Sequence, residues 1–252
     1  MARPVTLITG ASAGLGAEFA RQCARRGEAL ALVARRRDRL DALKAELGGD
    51  IHVFAADLAL PGAAQSLIAE LEAEGLTVAT LINNAGFGLG GRFADRPLER
   101  QREMIDLNVR TLTELCHLVL PAMRQAGKGA ILNVASTAAF QPGPNMAVYY
   151  ATKAYVLSFT EALHHELKGT GVKVSALCPG PTESEFSDVA ESHSPTLERM
   201  KMPAAPVVGA GLAGLDANKA VVIPGFKNKI GAQASRFLTR AAMRRIIGRL
   251  KV

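Results

Sequence analysis

Apolar positions along this chain recur with two periods, and the switches between them divide it into alternating segments. Short aliphatic and β-branched runs, apolar at most positions, lie at residues 5–8, 29–34, 51–56, 78–82, 130–135, 172–177 and 220–223. Runs of this length and composition predict strands buried on both faces. Between them, apolar residues recur at helical spacing. The helical segments are residues 17–24, stopped by Gly27, and 38–47, closed by Gly48 and Gly49. A third is 61–74, with Pro61 at its start and Gly75 past its end, followed by 98–123, 147–168 and 207–217. Strand and helix in regular alternation predict an α/β fold, a doubly wound parallel sheet in a single domain. Residues 182–206 break the pattern: they are polar, proline-rich and without clear period. So long a connection predicts a lid or binding loop.

Composition narrows the function classes. No apolar run approaches the roughly 18 residues of a membrane span, and Met1-Ala2-Arg3-Pro4 leads directly into the first strand. No transmembrane segment, no secretory leader and a cytoplasmic location are therefore expected. Cys23, Cys116 and Cys178 are far apart and read as reduced, mostly buried thiols. The formal charge is +7, yet residues 227–252 alone hold eight basic side chains and no acidic one, which leaves residues 1–226 at −1. A near-neutral body argues against a general nucleic-acid surface. His164 and His165 are adjacent, so they point apart on a helix, while His52, His117 and His193 are scattered. No metal site is expected.

Candidate chemistry begins at Thr9-Gly10-Ala11-Ser12-Ala13-Gly14-Leu15-Gly16. Strand, glycine turn and helix in that order make a phosphate site, because glycines admit a close ligand and the helix start offers unpaired N–H groups. The same letters match G-x-S-x-G, a hydrolase nucleophile elbow. That elbow needs an upstream oxyanion loop, whereas only nine residues precede Gly10, and it needs a downstream acid and histidine that do not stand out. On this stretch alone a plain glycine turn stays open.

Further motifs decide. The glycine turn, Asn83-Asn84-Ala85-Gly86, Ser136, Tyr149-x-x-x-Lys153 and Pro179-Gly180 follow one another in the order and spacing of the short-chain dehydrogenases/reductases, which residues 3–226 resemble. The resemblance implies a Rossmann-type fold, with residues 1–226 as the catalytic domain and 227–252 as a basic helical extension. It implies that Tyr149 exchanges a proton with the substrate oxygen, that Ser136 positions and polarises the carbonyl, and that Asn108 holds a water in a relay to Lys153. Lys153 would also hold the nicotinamide ribose. Tyr149 and Lys153 share a helix face, and a cation beside a phenol, whose ordinary pKa is about 10, is expected to lower it. Tyr150 is one place off the spacing and is expected to pack.

The same resemblance assigns cofactor contacts to Gly10, Ser12, Ala13, Gly14, Leu15, Gly16, Asp57 and Leu58. It places Asn83 to Gly86, including Asn84 and Ala85, beside the adenosine ribose, and Pro179, Gly180, Thr182 and Ser184 at the nicotinamide. Ser184 stands where threonine is usual. Charge at the second strand end selects between cofactors: an acid there binds a ribose 2′-hydroxyl and an arginine a 2′-phosphate. Arg35 lies nineteen residues past Gly16, with Arg36 and Arg37 beyond it and no acid before Asp38. NADP(H) is expected, held by Arg35 and Arg36.

In such proteins the loop after N-N-A-G, the segment after the serine and the lid form the substrate pocket. Here these supply Phe87, Leu89, Phe93, Phe140, Met146, Phe186, and among the lid methionines Met200 and Met202. A mostly apolar lining favours a hydrophobic, bulky ketone or secondary alcohol. A 3-oxoacyl thioester or steroid-type ketone is an alternative, and a non-catalytic dinucleotide sensor is another, against which the intact Tyr149, Lys153, Ser136 and Asn108 argue. The family implies a homo-oligomer, tetramer ahead of dimer. The tail carries Ile230, Phe237, Leu238, Ile246, Ile247 and Leu250 on no single helical face, which predicts two short helices. Three roles are open for it, in this order: packing on a partner subunit, closing over the substrate mouth, or lying on an anionic membrane.

Overall fold

The computed structural model describes residues 2–192, 194–234 and 237–250; Met1, His193 and two of the eight basic tail residues, Arg236 and Lys251, lie outside it. Leu7 and Ile8, neighbours on β1 (Arg3–Thr9), show how the layers arise. Their side chains leave opposite faces of the strand, and each is fully buried in a different apolar cluster. The split recurs at Leu81 and Ile82 of β4 (Leu76–Asn83) and at Ile131 and Leu132 of β5 (Gly129–Val134).

One layer sets these strands against α3 (Ala63–Ala73), α5 (Leu112–Gln125) and α6 (Ala147–Glu166) through Leu67, Leu71, Leu115, Val119 and Val156. The other uses α1 (Gly14–Arg25), α2 (Arg37–Leu47) and α9 (Ala204–Asp216), through Phe19, Leu40, Val207 and Leu212. Full burial of side chains this size contributes roughly 1.5–3 kcal/mol each.

Seven parallel strands run in the order β3-β2-β1-β4-β5-β6-β7, with β2 (Leu30–Ala34), β3 (Ile51–Ala55), β6 (Val172–Leu177) and β7 (Val221–Val222). The direction of sheet growth reverses between β1 and β4, which pair at Val5 with Val78 and Leu7 with Leu81. Loops after these two strands diverge, so a crevice opens at their carboxyl ends.

Local departures from the sequence pattern follow from local chemistry. The 98–123 helix is α4 (Leu98–Ile105) and α5, joined by a π-helical turn at Asp106–Thr111. The 220–223 strand shortens to two residues, with Pro224 just beyond it. Within 182–206 the structure is more regular than expected: α7 (Phe186–Val189), α8 (Pro195–Glu198) and a parallel bridge between Thr182 and Met202 order the segment.

The tail forms α10 (Phe226–Ala234) and α11 (Arg240–Leu250). These fold back on their own chain: Ala232, Met243 and Ile247 are buried, and the latter two join a cluster with Leu89, Met146 and Tyr150. This brings the tail against the chain's own cavity, as in the second of the three roles expected for it.

Candidate active site

The crevice at the switch point is a cavity of about 600 Å³, and its two ends are built from different material. At the β1 end the wall is backbone. Gly10 has φ +66°, and a Cβ there would stand 2.9 Å from the Ala85 Cα. Gly16 does not line the cavity; a Cβ there would overlap the Gly10 carbonyl oxygen, so this glycine lets α1 pack on the turn. Ala13 caps α1 with no side-chain hydrogen bond, which leaves the first N–H groups open beside Ser12, Gly14 and Leu15 in the cavity wall. The Thr9 hydroxyl accepts from the Asn84 and Ala85 N–H groups at 3.0 and 2.9 Å, and Asn84 Nδ2 donates to the Thr9 carbonyl at 2.9 Å. Thr9 thereby fixes the turn that carries Asn84, Ala85 and Gly86 into the wall.

Asn83 departs from its expected place beside the ribose. It is buried, and its Nδ2 donates to Asn133 Oδ1 at 2.9 Å, which ties β4 to β5 instead. Asp57 and Leu58 line the cavity after β3, and Asp57 Oδ1 accepts from the Ala59 N–H at 3.0 Å.

Arg35 and Arg36 also line this end. Arg35 Nη1 lies 3.9 Å from Asp57 Oδ2. Arg36 donates to Ser12 Oγ at 3.2 Å and, through both terminal nitrogens, to Glu185 Oε2 at 3.0 Å. Arg39 reaches the other oxygen of Glu185 at 2.5 Å. Arg39 and then Arg36 hold the Glu185 carboxyl below the usual carboxylate range. The sequence reading missed Arg39 and Glu185. Nothing in the sequence brings residue 185 to residue 36, since only the folded lid does so.

Ser136 lies two residues past the end of β5 and caps the following 3-10 turn, Thr137–Phe140, by accepting from the Ala138 N–H at 3.1 Å. It also stands beside the Tyr149 hydroxyl of α6, where it favours the ionised phenol. Tyr149 is 8% exposed and Lys153 6%. Lys153 Nζ donates to the Val134 carbonyl at 2.7 Å and lies 5.9 Å from the Tyr149 ring centroid. Asn108, in the π turn, donates to Phe87 O at 2.9 Å and to Thr152 Oγ1 at 3.1 Å, and accepts from the Phe87 N–H at 3.1 Å. It stands behind the cavity wall and clamps the loop after Gly86 to α6.

The pKa expectation for the tyrosine does not hold in the unliganded chain. Burial pushes the Tyr149 phenol up to about 12, and the neighbouring Ser136 only partly offsets this. Burial also pulls Lys153 down to about 8, with Cys178 opposing. Desolvation outweighs the neighbouring cation. At neutral pH, then, the phenol carries its proton and the ammonium is still charged.

Side chains make the other end. Phe87, Met146 and Phe186 line it, with the Phe186 and Tyr149 ring centroids 5.1 Å apart and Arg100 4.6 Å above Phe87. Leu89 and Phe140 do not. Gly90 N–H donates to the Ala190 carbonyl at 2.7 Å, which draws the loop beneath α7 and turns Leu89 into the cluster behind the wall. Thr137, Ala138 and Gln141 face the cavity, while Phe140 at the end of the 3-10 turn packs on the main core. Phe93 is exposed, Met200 lines the cavity, and Met202 buttresses it by accepting from Asn228 Nδ2 at 3.4 Å. Pro179, Gly180, Thr182 and Ser184 line the wall between the two ends. Thr182 Oγ1 donates to Gly180 O at 3.0 Å, and Ser184 Oγ to Thr182 O at 3.3 Å. The residues not foreseen are Met243 and Ile247 of α11 and Lys227 and Asn228 of α10, which close this end. Among the described residues no group of histidines, cysteines and carboxylates could hold a metal ion.

Residues 4–194 match the family model described as short chain dehydrogenase. The chain belongs to that family. Among its relatives, sulfoacetaldehyde reductase 2 of Chromohalobacter salexigens is 42% identical over 187 residues, covering 73% of this chain and 74% of that protein. Two solved structures are also similar. A short-chain dehydrogenase from Sphingobium yanoikuyae in complex with NADPH aligns with TM-score 0.82 at 36% identity, covering 93% of this chain and 94% of that one. The bulky-bulky ketone specific alcohol dehydrogenase from Comamonas testosteroni aligns with TM-score 0.78 at 32% identity, covering 94% and 93%. This short-chain dehydrogenase is thus an oxidoreductase with the family's Rossmann-type sheet. Its tail, outside the matched residues, forms part of the cavity wall.

Proposed function

We propose that the protein is an NADPH-dependent carbonyl reductase acting, reversibly, on bulky hydrophobic ketones and secondary alcohols. One observation carries the reading. The Ser136–Tyr149–Lys153 group opens onto the apolar end of the cavity, walled by Phe87, Met146, Phe186, Met243 and Ile247. The opposite end fits a dinucleotide phosphate through the open N–H groups of α1 and the Gly10 turn, and Arg35 and Arg36 favour a 2′-phosphate over a bare ribose. Related proteins that bind NADPH support that choice. When bound, the nicotinamide supplies a hydride to the carbonyl carbon.

The chain's own residues handle the proton and the orientation. Ser136 and Tyr149 hydrogen-bond the carbonyl oxygen, and Tyr149, protonated at neutral pH, donates its proton as that oxygen gains charge. The Lys153 ammonium stabilises the phenolate left behind. Asn108 holds the Phe87 backbone against α6 so that the loop keeps its place. α11 keeps water from the reacting end. A cytoplasmic location and a homo-oligomer belong to the same reading; exposed Leu98, Ile105 and Tyr155 on α4 and α6 support assembly.

The test is consumption of NADPH and of NADH by the purified protein with small aliphatic ketones, bulky aryl ketones and a 3-oxoacyl thioester. Turnover of bulky ketones with NADPH is expected. Preference for the thioester, or for a small carbonyl, would replace the substrate assignment, and tight NADPH binding without turnover would favour a sensor.

A further inference from the structure

The outer surface of the two tail helices is at odds with the rest of the protein. Phe226 and Phe237 are 78% and 86% exposed, more than the other exposed large apolar residues described, and Ile230, Leu238 and Ile246 are exposed near them in sequence. Interleaved with them are Lys229, Arg240, Arg244, Arg245 and Arg249, while Lys227 lines the cavity. None of these five outer cations makes an ion pair among the described residues, and residues 227–252 contain no acidic side chain. The inner face of α11 is fully used, with Met243 and Ile247, one turn apart, buried at the cavity. The outer face of the same helix presents Arg244, Arg245, Ile246 and Arg249.

We infer that α10 and α11, with Phe237 and Leu238 just before α11, dock on an anionic lipid surface. Exposed aromatic and aliphatic side chains beside lysine and arginine suit an interface whose outer layer is negative and whose interior is apolar. A second copy fits less well, since a two-fold contact would set this patch against itself, cation facing cation. A nucleic acid would engage the cations but leave Phe226, Ile230, Phe237 and Leu238 unburied. α10 and α11 also carry the residues closing the substrate end, so docking places that end next to the bilayer. The docking itself does not depend on the substrate proposed above.

The experiment is co-sedimentation of the full chain with vesicles of phosphatidylcholine alone and of phosphatidylcholine mixed with phosphatidylglycerol. Binding to the anionic vesicles only, weakened by added salt, is expected. Arg244→Glu with Arg245→Glu should reduce it at least about tenfold, and Phe226→Ser with Phe237→Ser should reduce it independently. These four residues lie outside the cavity wall, so NADPH binding and the thermal transition should stay at wild-type values and report a folded protein. Failure of the wild type to sediment with anionic vesicles, or equal binding to neutral ones, overturns the inference. So does a fall in oligomer mass in either variant without lipid, which assigns the patch to a second copy. Binding to duplex DNA that survives both phenylalanine substitutions overturns it in favour of nucleic acid.

Discussion

At one end of the cavity a ligand would meet main chain; at the other it would meet side chains. The cofactor end is a glycine turn, an uncapped helix start and a turn pinned by Thr9, where one added Cβ at Gly10 already approaches Ala85 within 2.9 Å. Few residue types satisfy such a wall, so it leaves a pattern in the sequence. The substrate end is assembled from Met146, Phe186, Met200, Met243 and Ile247, drawn from four separated segments. Many apolar residues could serve there, provided volume and shape are kept. Conformational requirement therefore marks one end, and bulk alone marks the other.

The comparison can be broken at its centre by Tyr149→Phe. Loss of the proton donor should lower turnover by about 10²–10⁴-fold while NADPH binding, followed by fluorescence titration, stays unchanged. Activity that survives would remove Tyr149 from the reaction. Next in size is Arg36→Ala, which should weaken NADPH binding by about 1.5–3 kcal/mol, the worth of a charged hydrogen bond. NADH binding should barely change; equal losses would detach Arg36 from the 2′-phosphate.

Met243→Ala with Ile247→Ala sharpens the contrast from the substrate side. A bulky ketone should lose about 1–3 kcal/mol in kcat/KM, a small ketone less, and NADPH affinity nothing. A parallel loss of cofactor binding would show that the two ends are not separable. The smallest effect is in pH. Because burial lowers Lys153 from 10.5 to about 8, it is charged below that pH and neutral above it. Reductive kcat/KM should hold at lower pH and decline above about 8. Tyr149, near 12, stays protonated throughout and contributes no inflection there. Lys153→Met should remove the decline along with most of the activity.

The sheet and the residues proposed to handle the proton were legible for the reason just given. Strands buried on both faces are apolar throughout, and Tyr149 and Lys153 carry chemistry at helical spacing. Leu89 and Phe140 were misread because composition cannot say which way a loop turns. The Ala190 carbonyl and the 3-10 turn at Thr137–Phe140 decide those two orientations. Arg39 was invisible because its partner Glu185 is 146 residues away, whereas α11 was expected as a short helix but lies beyond the motifs, so its place at the cavity stayed one of three open roles. The raised tyrosine pKa was misjudged because a sequence shows a neighbouring charge but not the water removed around it.

The π turn at Asp106–Thr111 sets a bookkeeping rule for the chain that no side chain reveals. An α-helix advances by about 100° per residue, and the wider turn absorbs an interval that a regular helix would spend on rotation. Deleting one residue from this turn would give a smoother helix that is more regular by every local measure. It would also swing everything on one side of the cut about a quarter-turn around the axis, parting Asn108 from Phe87 and Thr152 or α5 from its core contacts. Here the irregular winding is what keeps two halves of one long helix in phase with two different neighbours.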